Sequence, residues 1–149
     1  MFVKIPITNT KRASAIPLVE RLSLDGINLN ITALLTLAQV RDVAAAIRGG
    51  APACVSVFAG RIADTGRDPV PLMSAAVEML SDIPTAELIW ASPRELLNVF
   101  QADAVGCHII TATSDILKKL ALVGKDLADY SLETVRMFHS DATASQFRL

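Results

Sequence analysis

The sequence predicts an α/β fold, a parallel β-sheet with helices packed on it that forms part of a (β/α)8 barrel, followed by one further C-terminal helix. Three observations lead there. Short runs rich in Val and Ile alternate with amphipathic stretches five times over, and their centres lie about 20–35 residues apart, the spacing of a strand-helix-strand crossover rather than of a hairpin. The strand-like runs are near-continuously apolar, as parallel strands covered on both faces are. No GxGxxG or GxxxxGKS/T follows any of them, which removes the phosphate-cradling loop of most open nucleotide-binding sheets and favours a barrel over the doubly wound alternative.

The elements follow in order. Phe2 to Ile7 is the first strand, and Ala13 to Leu24 a helix whose Ile16, Val19, Leu22 and Leu24 are apolar, with Gly26 closing it. Ile27 to Ile31 is the second strand. Ala33 to Arg48 is the next helix, with Leu34, Leu37, Ala38 and Val40 on one face and a stop at Gly49-Gly50. Ala53 to Phe58 is a strand, Gly60 to Asp68 a polar loop, and Pro69 to Leu80 a helix with proline in its first turn. Glu87 to Ala91, Pro93 to Ala102 and Cys107 to Thr111 give strand, helix, strand. Ser114 to Leu120 and Ser131 to Ala144 are helical, with Leu-Val-Gly-Lys-Asp between them.

With 149 residues, 52% hydrophobic and 19% charged, the chain suits a single domain over residues 1–149, burying roughly 68–70% of its unfolded surface. A net charge of −1 with Lys and Arg scattered along the chain offers no footprint for nucleic acid or an anionic membrane. No apolar stretch approaches the roughly 20 residues of a membrane span. The start, Met-Phe-Val-Lys-Ile-Pro, lacks the layout of a signal peptide, so the expected location is the cytoplasm. Cys54 and Cys107 fall outside any CxxC or Cys/His ligand spacing and are read as buried free thiols. His108 is read as a strand residue and His139 as surface helix, neither a metal ligand. Trp90 and the methionines are read as core.

The polar residues at strand ends carry the chemical interest, because in a parallel barrel the loops after the strands build the active face. They are Lys4, Asn30 with Thr32, Ser56 with Arg61, and Ser92 with Arg94. A lysine among Phe2, Val3, Ile5 and Ile7 is unusual, since a buried ammonium costs several kcal/mol unless it is paired or neutral. One resolution is an amine left unprotonated by its apolar surroundings, able to attack a carbonyl and form a Schiff base. The other is a side chain near the terminus that snorkels to water. Arg61 and Arg94 follow two other strands, and two guanidiniums on one rim hold a sugar phosphate well, although arginines after strands also occur as solvated loop residues. Ser92-Pro93-Arg94-Glu95 fits a capping box, and equally an anion site at a helix start. Thr32 stands where it could cap a helix from Ala33.

Taken together, these blocks resemble the transaldolase family, which includes the fructose-6-phosphate aldolase-like enzymes. Phe-Val-Lys-Ile-Pro-Ile-Thr (2–8) is similar to the family's VKVP-type strand with its Schiff-base lysine. Gly26 to Leu35 (Gly-Ile-Asn-Leu-Asn-Ile-Thr-Ala-Leu-Leu) is similar to its fifth strand, and Val55 to Ile62 (Val-Ser-Val-Phe-Ala-Gly-Arg-Ile) to its sixth. Trp90 to Glu95 (Trp-Ala-Ser-Pro-Arg-Glu) and Gly106 to Thr111 (Gly-Cys-His-Ile-Ile-Thr) are similar to the seventh and eighth.

The resemblance implies a partial TIM barrel of five βα units corresponding to strands 4–8. It also implies transfer of a dihydroxyacetone unit between sugar phosphates with no cofactor. Lys4 would form the imine and Thr32 would hold a catalytic water. Asn30 would bind donor hydroxyls and Ser56 would line the donor end. Arg61, Ser92 and Arg94 would hold the phosphate.

The same resemblance places Lys4 on the fourth of eight strands, so three strand-helix units and their acidic and carboxamide residues are expected to lie outside this sequence. Either the sequence is the C-terminal piece of a longer product, or it is a half-barrel that assembles with another copy or a complementing N-terminal segment. The alternative function is a catalytically silent partial barrel acting as a structural or partner-assembled fragment. A deoxyribose-phosphate aldolase fits less well, because Ser-Val-Phe-Ala-Gly-Arg-Ile belongs to the transaldolase pattern.

Overall fold

A computed structural model describes residues 1–145. Packing divides the chain into two compact units, Met1–Leu117 and Lys118–Leu149.

The first unit alternates strands and helices. β1 (Val3–Pro6) leads to α1 (Ile16–Leu24), β2 (Leu29–Leu34) to α2 (Leu37–Ile47), and β3 (Ala53–Val57) to a short α3 (Ala59–Ala63) and then α4 (Val70–Leu80). β4 (Ala86–Trp90) leads to α5 (Leu97–Ala104), and β5 (Ile109–Ile110) to α6 (Ser114–Lys118). The strands are all parallel and stand in chain order, β1-β2-β3-β4-β5. An unbroken order is that of consecutive strands in a (β/α) barrel, whereas a doubly wound sheet reverses at a switch point. α1 packs beside α2, α2 beside α4, and α4 beside α5.

Alternation along the strands separates two faces. Leu29, Ile31, Val55, Val57, Leu88 and Trp90 meet the helices and are fully buried, together with Val19 of α1, Val40 and Val43 of α2 and Met73 of α4. Burying each of these aliphatic side chains contributes about 1.5–3 kcal/mol, so this layer holds the unit together. The residues between them, Lys4, Asn30, Cys54, Ser56, Glu87 and Ile89, alternate to the other face. The apolar residues packed there form a small cluster of Cys54, Ile89 and Ala91, backed by Phe58 and Ile109. Trp90 and Met73 are core as expected, Met79 is partly buried, and Met1 and Met137 are exposed.

Several boundaries differ from the sequence reading for identifiable reasons. β2 runs past Ile31 to Leu34 through an irregularity at Ala33, whose φ is +67°. α2 therefore starts at Leu37, and its capping box is Thr36 with Gln39: Gln39 N–H donates to Thr36 Oγ1 at 3.2 Å, and Thr36 N–H donates to Gln39 Oε1 at 3.1 Å. Thr32 caps nothing. The stretch read as a polar loop from Gly60 contains α3. Helix α5 starts four residues after Pro93 without a side-chain cap, and in the turn before it the Asn98 carboxamide oxygen accepts the N–H groups of Arg94 (2.7 Å) and Glu95 (3.1 Å). β5 is two residues long, and His108 just before it accepts the Leu88 N–H at Nδ1, 3.0 Å away, adding a side-chain bond beside the β4–β5 ladder.

The second unit opens with a 3-10 turn (Lys119–Leu122) and continues as α7 (Leu127–Ala144). This helix starts earlier than the Ser131 expected, because Asp126 Oδ1 accepts the N–H groups of Ala128 and Asp129 at 2.8 and 3.0 Å. α7 buries none of its side chains, and His139 is exposed on it. Among the described residues no helix is long and apolar enough to cross a membrane.

Candidate active site

Backbone pairing sets side chains from four strands in a row on the face away from the helices. Lys4 pairs with Asn30, Asn30 with Cys54, and Cys54 with Glu87. Two residues further along β3, the Ser56 hydroxyl donates to Asn30 Oδ1 at 2.8 Å. Lys4, Asn30 and Ser56 thus belong to one patch. Cys54 lies at its centre with its thiol directed to Glu87 Oε2, 3.8 Å away. Burial, reinforced by the charge and hydrogen bond of Glu87, pushes the Cys54 thiol upward in pKa, so it is a poor nucleophile.

Lys4 departs from the expectation of burial. It is exposed, because β1 is an edge strand with β2 on one side only. A cleft of about 400 Å³, lined in part by Ile5, Pro6, Thr8, Ser14 and Leu18, opens between β1 and the start of α1, and Lys4 does not line it. Thr32 is buried, and its Oγ1 has no hydrogen-bond partner among the described residues. An unpartnered buried hydroxyl costs about 1–3 kcal/mol, an energy recovered when a water or a ligand atom bonds it.

The arginines come from two segments that touch. Arg61 on α3 lies over the Phe58 ring, 5.6 Å from its centroid, with no carboxylate in ion-pair range among the described residues. Arg94, after β4, is held by Asp64 at the end of α3: its Nε donates to Oδ1 at 3.0 Å and Nη2 to Oδ2 at 2.5 Å. Gly60 joins the two segments. A Cβ there would fall 1.5 Å from the Ser92 carbonyl oxygen and 3.3 Å from Arg94 Nε, so only glycine admits this approach. Ser92 itself has φ +58°, a conformation no helix N-cap adopts. The expected capping box at Ser92 is therefore absent, and Asn98 Oδ1 instead ties down the Arg94 and Glu95 N–H groups in the turn ahead of α5.

The structure brings together Lys4, Asn30 and Ser56 in one patch, and Arg61, Ser92 and Arg94 around Gly60. Sequence reasoning missed Asp64, Gly60 and Asn98. Asp64 was visible as a carboxylate three residues after Arg61 on a helical turn; nothing local marked its partner as Arg94. Cys107 is a half-buried free thiol that burial pushes up to about 11, and Cys54 is also free. Among the described residues no group of three His, Cys, Asp or Glu could hold a metal.

Comparison with known proteins gives these groups a context. The model of the Transaldolase/Fructose-6-phosphate aldolase family matches residues 1–149. A protein from Clostridium acetobutylicum described as "Probable transaldolase" is 35% identical over 135 residues, covering 89% of this chain and 58% of its own length. Proteins of the same description from Thermoanaerobacter sp. (35% identical, 88% of this chain, 56% of its own) and Methanococcus maripaludis (33% identical, 90% and 62%) agree. The chain thus spans a little over half the length of these relatives. A match over every residue, borne on an unbroken parallel sheet, leads to one conclusion: this chain belongs to the transaldolase/fructose-6-phosphate aldolase family.

Proposed function

We propose that the chain carries the Schiff-base half of a transaldolase-type active site, its five strands being the fourth to eighth of a (β/α)8 barrel. The observation that carries this reading is the pairing of Lys4 with Asn30, which in turn accepts the Ser56 hydroxyl, within a chain matched to the family from end to end. Lys4 Nζ attacks the C2 carbonyl of a ketose phosphate, and water leaves to give a protonated imine. The imine accepts the C3–C4 bonding pair as the C4 hydroxyl loses its proton, and an aldose phosphate departs. The remaining three-carbon enamine attacks the carbonyl carbon of an acceptor aldose phosphate, and hydrolysis frees the lysine. The iminium is the electron sink, so no metal or cofactor is required.

Asn30 and Ser56 hold donor hydroxyls, and the unpartnered Thr32 hydroxyl suits a water that carries protons. Arg61, Ser92 and Arg94 hold the phosphate. Attack requires a free amine, and removal from water favours the neutral form. Lys4 is exposed at the β1 edge, so the proposal includes further polypeptide covering that edge, an N-terminal segment or a second copy. The same exposure favours one competing reading, a catalytically silent partial barrel.

Borohydride reduction with fructose 6-phosphate or dihydroxyacetone separates the two. The proposal expects the donor's mass on the peptide carrying Lys4 and its loss in Lys4→Ala. A folded, soluble sample that gains no mass at Lys4, alone or with the covering segment supplied, sinks the proposal in favour of the silent fragment.

A further inference from the structure

Among the described residues Asp64 is the carboxylate paired with the arginine rim, and its geometry is specific. It grips Arg94 through Nε and Nη2 together, so one edge of the guanidinium is occupied and Nη1 lies outside that pair. Gly60 lets the Arg94 chain cross beside α3 without a Cβ in its way. Arg61, on the same turn of chain, has an aromatic face beneath it and, among the described residues, no carboxylate in ion-pair range. The pair is half exposed, with side chains about 48–49% accessible, and a surface ion pair of that kind contributes little to stability. Its consequence is for charge and orientation at the rim.

We propose that Asp64 is a positioning and specificity-determining residue of the anion site, aligning Arg94 while offsetting one of the two guanidinium charges. The rim then carries one net positive charge in place of two, which narrows its preference for doubly charged over singly charged head groups. This rests on the reading of Arg61 and Arg94 as the site of the substrate's anionic group. It goes further in assigning a charge preference and the residue that sets it. Coulomb energy scales with ligand charge, so removing the carboxylate multiplies affinity for a dianion by the square of the factor for a monoanion of the same shape.

The test uses two tetrahedral probes at pH 7 and low salt, sulfate (a dianion) and methanesulfonate (a monoanion), titrated into the chain while arginine Nε–H resonances are followed. Asp64→Asn is expected to strengthen sulfate binding about tenfold and methanesulfonate binding about threefold. Asp64→Glu, which keeps the charge, is expected to restore the parent ratio. Arg94→Ala should weaken both ions. A purely structural carboxylate would instead lower both affinities by one common factor in Asp64→Asn, and that result, or no change in either, overturns the assignment.

No binding of either ion to any form overturns it together with the phosphate half of the proposed function, while imine trapping at Lys4 stands separately. A failed trapping experiment with the expected anion ratios leaves Asp64 in its role and removes only the lysine chemistry.

Discussion

The two faces of the sheet come from the same five strands and behave as different materials. Toward the helices stand Leu29, Ile31, Val55, Val57, Leu88 and Trp90, all fully buried. On the other face stand exposed Lys4 and Glu87, half-buried Asn30 and buried Ser56, with a small patch around Cys54 and Ile89. Residues one position apart therefore serve opposite ends: Trp90 anchors the core while Ala91 and Ser92 lead the chain out to the rim. A period of two lets one strand stabilise a fold through half its side chains and offer chemistry through the rest. The lesson is that substitutions on the helix face should read out in stability, and those on the open face and its rim in ligand capture.

The sharpest break in that comparison would come at Trp90. Trp90→Ala is expected to cost about 3–5 kcal/mol in urea unfolding. Trp90→Phe should cost much less, because it also removes an indole N–H that has no partner among the described residues. Next is Gly60→Ala, expected to cost about 1–3 kcal/mol and to release Arg94 from Asp64. The Arg94 Nε–H resonance checks the second effect, and a retained bidentate signature would show that the Ser92 loop yields without cost. Asn98→Ala should cost about 1–3 kcal/mol by leaving the Arg94 and Glu95 N–H groups before α5 without their acceptor, visible as faster amide exchange at those two residues. On the open face, Lys4→Ala should stay within about 0.5 kcal/mol of the parent while abolishing any imine trapping. A large loss of stability there would mean that the two faces are not divided as described.

The smallest effect is alkaline. Burial raises the Cys107 thiol from 9.0 to about 11, so folding disfavours its thiolate relative to the unfolded chain. That contribution is fully present below pH 9 and is lost as the pH climbs through about 11. Cys54 is raised in the same direction, by burial first and by Glu87 second. Cys107→Ala should therefore flatten, without abolishing, the fall in urea midpoint between pH 9 and 11. An unchanged slope would remove Cys107 from that account.

How far the sequence alone led depends on whether a signal was local. The strand-helix alternation, the parallel sheet, the closing role of Gly26 at φ +81° and the free cysteines were all legible, because periodicity, turn chemistry and ligand spacing are written into neighbouring residues. Thr36 with Gln39 was equally local, but the apolar run Ile31-Thr32-Ala33-Leu34-Leu35 reads as strand or helix with equal ease, and the bend at Ala33 that extends β2 comes from its pairing with β3. Ser92-Pro93-Arg94-Glu95 has the pattern of a capping box. Ser92, whose carbonyl oxygen Gly60 approaches, is instead in a left-handed conformation, and α5 starts at Leu97 with no side-chain cap.

Composition and pattern by themselves determined the fold class, the order of its elements and the candidate residues, Lys4, Asn30, Thr32, Ser56, Arg61, Ser92 and Arg94. Only the tertiary structure decided that Lys4 stands exposed at an edge, that Ser56 bonds to Asn30, and that Arg94 is bound to Asp64 thirty residues earlier. The reason is physical. Hydrophobic period and turn propensity are properties of adjacent residues, whereas exposure and ion pairing depend on which strands lie side by side and on what covers the last of them.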